Sequence, residues 1–506
     1  MNTKTWMGAM EVGAQEAQIE PPEGPGVERQ RSKKDVAFSS KREATAHSPR
    51  VLLLFSALLV MMFSVGNGNT IASLAALLVA AVATGCALLY PMAVPEGDWL
   101  GRAEWVLVVS LVVAGLILTT GRLGQAFAEL TSPLWTMMTA CAILGIAGAL
   151  LIFRKLPHMK FVFGLFLLIY AAMTVVLLRS SPAHIDVEIY LREGSDALLH
   201  GHNPYAITIP NIYPPQVAEQ LYGPGMVING RVAWGFPYLP LALLVAIPGH
   251  LLGDVRYSQL IAMVVTALAL FALASDRLGR VAAILGVASV SAIPILTGAW
   301  TEPTSVALLA CLVLALKRRR HLIAALFLGL LLVSKQYFVV VIPIVWLIRQ
   351  WLTRRIILIG LGLAAAVTLP LFIVDPATFW KCITGIQTAA LRPDSLSLLV
   401  SSVQTFGWPP PWTYGVLPLL AGGLTALILA LRAPRTPAAF AGAVGLTLLV
   451  TILLSRQAFT NYYFMVRGAL LIAAVAWPTE LGPTKPIGVT QGSPSSSEVT
   501  TSTEAR

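Results

Sequence analysis

The chain has 506 residues, of which 56% are hydrophobic and only 12% charged, with a formal net charge of +11. That balance excludes an ordinary water-soluble protein, and apolar runs of about membrane-spanning length recur along the chain, so the sequence predicts an all-α, polytopic membrane protein. The positive charge does not indicate nucleic acid as a partner: Lys and Arg sit between apolar runs, the pattern that orients loops toward the cytosol, and no RNA- or DNA-binding motif is present.

Residues 1–48 are polar, contain Pro21-Pro22-Glu23-Gly24-Pro25-Gly26 and scattered Lys and Arg, and are expected to form a disordered cytosolic tail. N-terminal transmembrane helices fill 49–160, with spans at about 51–66, 71–94, 105–120 and 133–153. A fifth span, 161–178, opens a second module that runs to 478. The loop Arg154-Lys155-Leu156-Pro157-His158-Met159-Lys160 is basic and expected in the cytosol. With the N-terminus also cytosolic, five crossings put the loop 179–237 outside. It is long and rich in Pro, Tyr and Gly, which argues for a working loop rather than a passive link.

Within that loop lies the polar stretch from Ser180 to Tyr205. Ser181-Pro182 reads as an N-cap followed by a proline at the first helical position, while Gly201 and Pro204 read as stop signals. On a helix between them Asp186, Tyr190 and Glu193 fall at i, i+4 and i+7 and share a face. A solvated amphipathic connector would carry the same pattern.

Apolar segments at about 238–252, 258–274, 281–298 and 304–316 lead to the cluster Lys317-Arg318-Arg319-Arg320-His321, expected in the cytosol. Strict alternation would put that cluster outside, so one segment is expected to be re-entrant or broken. The candidate is 238–252, which Pro237, Pro240 and Pro248 interrupt. Residues 322–348 lie between two basic clusters and read as a hairpin whose tip, Ser334-Lys335-Gln336-Tyr337, reaches the outer side. Then 356–374 crosses outward, 375–412 forms an outer loop, 413–431 returns, 438–454 crosses out to a loop at 455–461, and 461–477 returns. Roughly 12–14 membrane segments are expected in all, some broken or re-entrant, followed by a disordered tail at 479–506. Cys86, Cys141, Cys311 and Cys382 show no paired spacing and read as packing residues.

Ionisable groups at or inside a bilayer are costly and mark candidate sites. On this topology Asp186, Glu193, Glu302, Lys335, Arg392, Asp394 and Arg456 collect on the outer side, together with Asn461 and Tyr462. A carboxylate with cations and aromatics suits a reaction on an anionic, sugar-bearing lipid: a base takes a proton from an acceptor hydroxyl, and cations stabilise a leaving phosphate. Arg392 and Arg456 also read as snorkelling anchors of helix ends, and Glu302 as a cap of the helix that Pro303 opens. His200 and His202 form an H-x-H pair without a second ligand set and read as loop histidines, so no metal site is expected. Nothing matches a P-loop, a Gly-rich dinucleotide turn or a Ser-His-Asp order, and no cofactor is expected.

An acidic residue soon after a span, followed by an amphipathic helix ending in Gly201-His202-Asn203-Pro204-Tyr205, resembles the first outer loop of the GT-C superfamily of integral-membrane glycosyltransferases. The nearest likeness is to bacterial polyprenyl-phosphate-mannose-dependent α-mannosyltransferases. Phe236-Pro237-Tyr238-Leu239-Pro240, Gly253-Asp254-Val255-Arg256, Trp300-Thr301-Glu302-Pro303 and Ser334-Lys335-Gln336-Tyr337 support it over about 160–480. The resemblance implies a GT-C-like catalytic module and a polyprenyl-phosphate sugar donor. It also implies a glycolipid or glycan acceptor at the membrane lipid surface, and a first-loop acid as general base. Asp186 matches that acid; Glu188, on a different helical face, is the alternative. Lys335, Arg392 and Arg456 are then candidates for the phosphate, and Tyr190, Tyr205 and Trp234 for stacking on sugar or prenyl chain. Glu193, His202, Glu302 and Gln336 complete the expected binding set. Four spans precede the module, a departure from the family pattern. A transporter or flippase of lipid-linked sugar, or a non-catalytic membrane assembly protein, would also keep these helices and polar loops.

Overall fold

A computed structural model describes residues 47–64, 70–90, 158–287, 292–388 and 391–477, with isolated residues between 102 and 148. The tails expected at 1–48 and 479–506 and the spans expected at 105–120 and 133–153 lie almost wholly outside the described residues. The chain begins with α1 (His47–Phe63) and α2 (Ile71–Leu89) and resumes with α3 (Met159–Ser180). The polar loop then folds as α4 (Asp186–Leu199), a 3₁₀ turn at Pro204–Ala206, α5 (Pro215–Tyr222) and strands β1 (Ile209–Pro210), β2 (Val227–Ile228) and β3 (Arg231–Val232). The strands are antiparallel in the order β1-β3-β2. There follow α6 (Pro240–Leu251), α7 (Arg256–Leu273), α8 (Arg277–Val287), α9 (Ala292–Thr297), α10 (Glu302–Lys317) and α11 (His321–Leu332). A 3₁₀ segment at Gln336–Ile348 leads to α12 (Arg354–Val374), α13 (Pro376–Thr388), α14 (Leu398–Phe406), α15 (Val416–Arg432), α16 (Pro437–Leu453) and α17 (Thr460–Ala476).

Four of the described helices, α2, α3, α7 and α12, are long and apolar enough to cross a membrane. The 22 residues of α3 rise about 33 Å, enough for a hydrocarbon layer of about 30 Å. In α12 only 11% of the apolar window is covered by the rest of the protein, and Leu358, Ile359, Ile373 and Val374 stand exposed. So large an uncovered apolar face needs a surround other than water.

Several expected spans are shorter or broken. The segment at 238–252 is the 12-residue α6, which at about 18 Å cannot cross. Of the run expected over 281–298, the described parts are helical, in α8 to Val287 and in α9 from Ala292, with Pro294 inside α9, and residues 288–291 lie outside the described residues. The hairpin expected over 322–348 is built from α11 and the 3₁₀ segment, and its base is closed by a 2.8 Å contact between His321 Nδ1 and the Trp351 carbonyl. The outer loop expected at 375–412 carries two helices, α13 and α14.

One apolar core runs through the bundle. α1 and α2 pack on each other and against α16 and α17, so helices on either side of residue 160 share a core in which Leu53, Leu77, Leu88, Phe440, Val444 and Leu470 are inaccessible. Small residues permit that closure. A Cβ on Gly442 would stand 3.1 Å from Leu88, and one on Gly445 3.0 Å from Leu470. α11 and α12 approach through Gly329 and Gly360, whose backbones touch.

A second core lies under the polar loops. Leu191, Tyr205, Ile209, Phe236, Leu243 and Phe379 bury together, joining the loop 179–237 to α6 and α13. Tyr205 is its hub: its hydroxyl donates to the Tyr238 carbonyl at 2.9 Å, its ring lies 4.6 Å from Phe379, and its carbonyl receives the Cys382 thiol at 3.4 Å. Arg256 sets where α4 begins. Its guanidinium donates to the carbonyls of Leu178 (2.7 Å) and Ser181 (2.6 Å) while paired with Asp254 at 2.7 Å. With Ser181 held this way, the chain stays non-helical through Ile185, and α4 starts at Asp186 rather than at Pro182. Its end is as expected: Gly201 takes φ +74°, and the His202 amide donates to the Ala197 carbonyl at 2.8 Å.

Candidate active site

Asp186 opens α4, where the helix dipole favours an anion, and faces a cavity of about 480 Å³. Two tyrosines hold its carboxylate. Tyr213 is fixed by an Asx turn, with its amide donating to Asn211 Oδ1 at 3.1 Å, and its hydroxyl donates to Asp186 Oδ1 at 3.3 Å. Tyr222, at the end of α5, donates to Oδ2 at 3.0 Å. Desolvation pushes the Asp186 carboxyl above its ordinary value, and this outweighs the opposing pull of the Tyr222 and Tyr213 hydrogen bonds and the Arg392 charge. Burial also raises both phenols, so they stay neutral donors near physiological pH.

The facing wall is made where two later loops are stitched together. The Arg392 amide donates to the Arg456 carbonyl at 3.3 Å, the Leu396 amide to the Ala458 carbonyl at 2.9 Å, and Ser397 Oγ to the Ser455 carbonyl at 2.7 Å. Arg392 enters the cavity as a fork already engaged with Asp394, at 3.1 and 3.0 Å, and lies 4.9 Å above the Phe459 ring. Trp234, Tyr238 and Trp300 give the cavity an aromatic lining. Trp234 fits because α13 has Gly385 at the contact, where a Cβ would strike the indole. An apolar cleft with a few convergent polar groups is the usual form of a small-molecule site.

A charged cluster lies behind this wall. Glu302 is fully buried and pairs with Lys335 at 3.1 Å, and Asn461 Nδ2 donates to the same carboxylate oxygen at 3.0 Å. The Lys335 ammonium also sits 4.4 Å from the Tyr238 ring. Asn461 and Tyr238 line the cavity, so they stand between it and the buried pair. Glu302 thus spends its charge on Lys335 and Asn461 rather than as a cap.

Of the twelve residues in the expected catalytic and binding set, the structure brings four to the cavity, Asp186, Tyr190, Trp234 and Arg392, alongside Asp394, Asn461 and Tyr462, which the sequence also grouped with them. Tyr190 also donates to the Trp234 carbonyl at 3.1 Å. The other eight do not line it. Glu188 and Glu193 lie 3.3 and 3.5 Å from Arg192. His202 is exposed, and Tyr205 belongs to the second core. Gln336 supports the wall from behind, donating to the Pro237 carbonyl at 2.6 Å. Arg456 rests 5.6 Å from the Tyr414 ring, and Glu302 and Lys335 form the buried pair. Sequence reasoning missed Tyr213 and Tyr222. The only signal was a tyrosine beside turn residues in each case, Tyr213-Pro214 and Tyr222-Gly223. Among the described residues no three His, Cys, Asp or Glu side chains come together as a metal site would require.

Comparison with protein-family models, with curated proteins and with solved structures finds no match. Any functional reading therefore rests on the chemistry of the cavity. A carboxyl with a raised pKa, held by two phenols and facing one guanidinium, can accept a proton from a bound hydroxyl while the cation steadies an anion opposite.

Proposed function

We propose that the chain is a multi-pass membrane glycosyltransferase of GT-C type. It transfers a sugar, with mannose the first candidate, from a polyprenyl phosphate to a hydroxyl of a glycolipid or glycan on the extracytoplasmic face. The observation that carries this reading is Asp186, a desolvated carboxylate held by Tyr213 and Tyr222 in an aromatic-lined cavity with Arg392 on the facing wall. Asp186 takes the proton of the acceptor hydroxyl. The freed oxygen attacks the anomeric carbon as the bond from that carbon to the phosphate oxygen breaks, and the electron pair leaves with the phosphate beside Arg392. Phosphate is a competent leaving group, so one carboxylate suffices, unlike glycoside hydrolysis with its pair. Glu188 is the weaker choice of base, since it lies off the cavity beside Arg192.

The membrane reading is supported by the four long apolar helices and by the uncovered face of α12. The orientation is supported by the grouping of basic residues at the end of the α11 hairpin remote from Lys335. There Arg319 stacks 4.0 Å from Trp351, and the Trp351 indole donates to the Arg435 carbonyl at 3.2 Å.

The test is to supply purified protein in liposomes with a polyprenyl-phosphate sugar and a lipid acceptor, and to determine the product's anomeric configuration by NMR. The expected product carries the sugar on the acceptor with the anomeric configuration opposite to the donor's. Retention of configuration would contradict the single displacement. Passage of the intact donor across the bilayer, without cleavage, would instead identify a transporter.

A further inference from the structure

The far end of the molecule carries a second recess. Between α11, the 3₁₀ segment and the start of α12 lies an open groove of about 700 Å³. Its body is apolar, formed by Leu332, Ile342, Ile357 and Leu361. Its rim is cationic, with Arg349, Arg354 and Arg435. All three arginines are exposed, and among the described residues none of them pairs with a carboxylate.

The placement of Arg354 is electrostatically odd. It and Arg355 occupy the first turn of the 21-residue α12, which contains no acid, although that end of a helix is its positive pole and ordinarily attracts anions. Arg349 is stacked 3.7 Å over the half-exposed ring of Trp346, the kind of aromatic that sits at headgroup level. Gln350 and Trp351 both donate to the Arg435 carbonyl, which holds that arginine's chain segment to the groove. Cations gathered on a rim, uncompensated by acids, above an apolar trough match a molecule with an anionic head and an apolar tail.

We propose that this groove binds one anionic phospholipid of the surrounding bilayer, with the headgroup phosphate among Arg349, Arg354 and Arg435 and an acyl chain along Ile342 and Leu361. The site rests on the membrane reading above and is independent of the transfer chemistry. The bound lipid supplies the missing countercharge and fills the space between the hairpin and α12. It thereby couples the packing of the Gly329–Gly360 contact to the lipid composition on that face.

The experiment is native mass spectrometry of the full purified chain, equilibrated with an equimolar mixture of phosphatidylglycerol and phosphatidylcholine of identical acyl chains. Wild type is expected to retain one phosphatidylglycerol in preference to phosphatidylcholine. Each cation near a membrane surface contributes roughly fivefold, so the Arg349→Gln/Arg354→Gln/Arg435→Gln variant is expected to lose at least about tenfold of that preference. Arg318→Gln/Arg432→Gln, which removes two exposed cations outside the groove, is expected to keep it. Ile342→Trp fills the groove from an exposed position and is expected to expel the lipid with all three arginines intact. Equal preference in wild type and the triple variant, or equal loss in the control, overturns the site in favour of diffuse surface charge. Displacement by excess glycerol phosphate overturns it in favour of a free-phosphate site. Carbonate extraction of membranes separates the two claims: release of the chain overturns the membrane reading and this site together, while retention with no lipid preference overturns this site alone.

Discussion

Asp186 is poised by two opposing influences, desolvation that raises its pKa and the Tyr222 and Tyr213 hydroxyls that lower it. The sign of the pH dependence follows. On the proposed role of Asp186 as a base, which must be ionised, activity is expected to rise as pH climbs through the carboxyl's pKa in the folded protein, with the acid limb above the ordinary carboxylate value of about 4. Tyr222→Phe deletes a donor that favours the ionised form, so the limb is expected to move to still higher pH while the plateau is affected less. A pH–rate profile checks this, and a limb that moved down would show that Tyr222 does not bond to the reacting carboxylate. At this scale Asp186 was legible because a carboxylate just after an apolar run is conspicuous. Tyr213 and Tyr222 were not, because their relation to it exists only once Asn211 turns the loop and α5 returns. Lys335 and Arg456 were legible as unusual cations but not in their roles, since no spacing in the sequence reveals that Glu302, 33 positions before Lys335, is its partner.

Among the elements, α10 and the tip of the α11 hairpin meet through that buried pair. Glu302 Oε1 accepts from both Lys335 and Asn461, while Oε2 has no hydrogen-bond partner among the described residues. Breaking such a pair from one side leaves an uncompensated charge and costs about 3–5 kcal/mol. Lys335→Met is therefore expected to lower the thermal midpoint markedly in detergent, and Glu302→Gln in the same chain is expected to restore much of it. A single variant as stable as wild type would mean that the pair does not hold the tip. Hairpin and tip were legible from the basic clusters on either side. The start of α4 was misplaced because Ser181-Pro182 is a sound local start signal, overridden by Arg256 from 75 positions away.

For the whole molecule, composition was a sound guide to class: the described structure is helical, with four helices long and apolar enough to cross a membrane. The closure of α1 and α2 onto α16 and α17 was not visible. It depends on glycine and alanine faces, which hydropathy counts as merely apolar, and it links the two ends of the described chain. That closure braces α17, whose first turn delivers Asn461 and Tyr462 to the cavity. The segments 179–237 and 375–412 were expected as loops, yet residues of both share a buried core, and together with residues 457–462 they line the candidate site.

Whether the Asp186 cavity performs transfer decides the function proposed for the protein. The direct measurement is the movement of radiolabelled mannose from polyprenyl-phosphate-mannose to a membrane lipid extract by purified protein, comparing wild type with Asp186→Asn and Glu188→Gln. Wild type and Glu188→Gln are expected to make labelled product, and Asp186→Asn to fall by at least about a hundredfold, the lower end for loss of a general base. Normal turnover by folded Asp186→Asn, or loss with Glu188→Gln alone, would contradict the account.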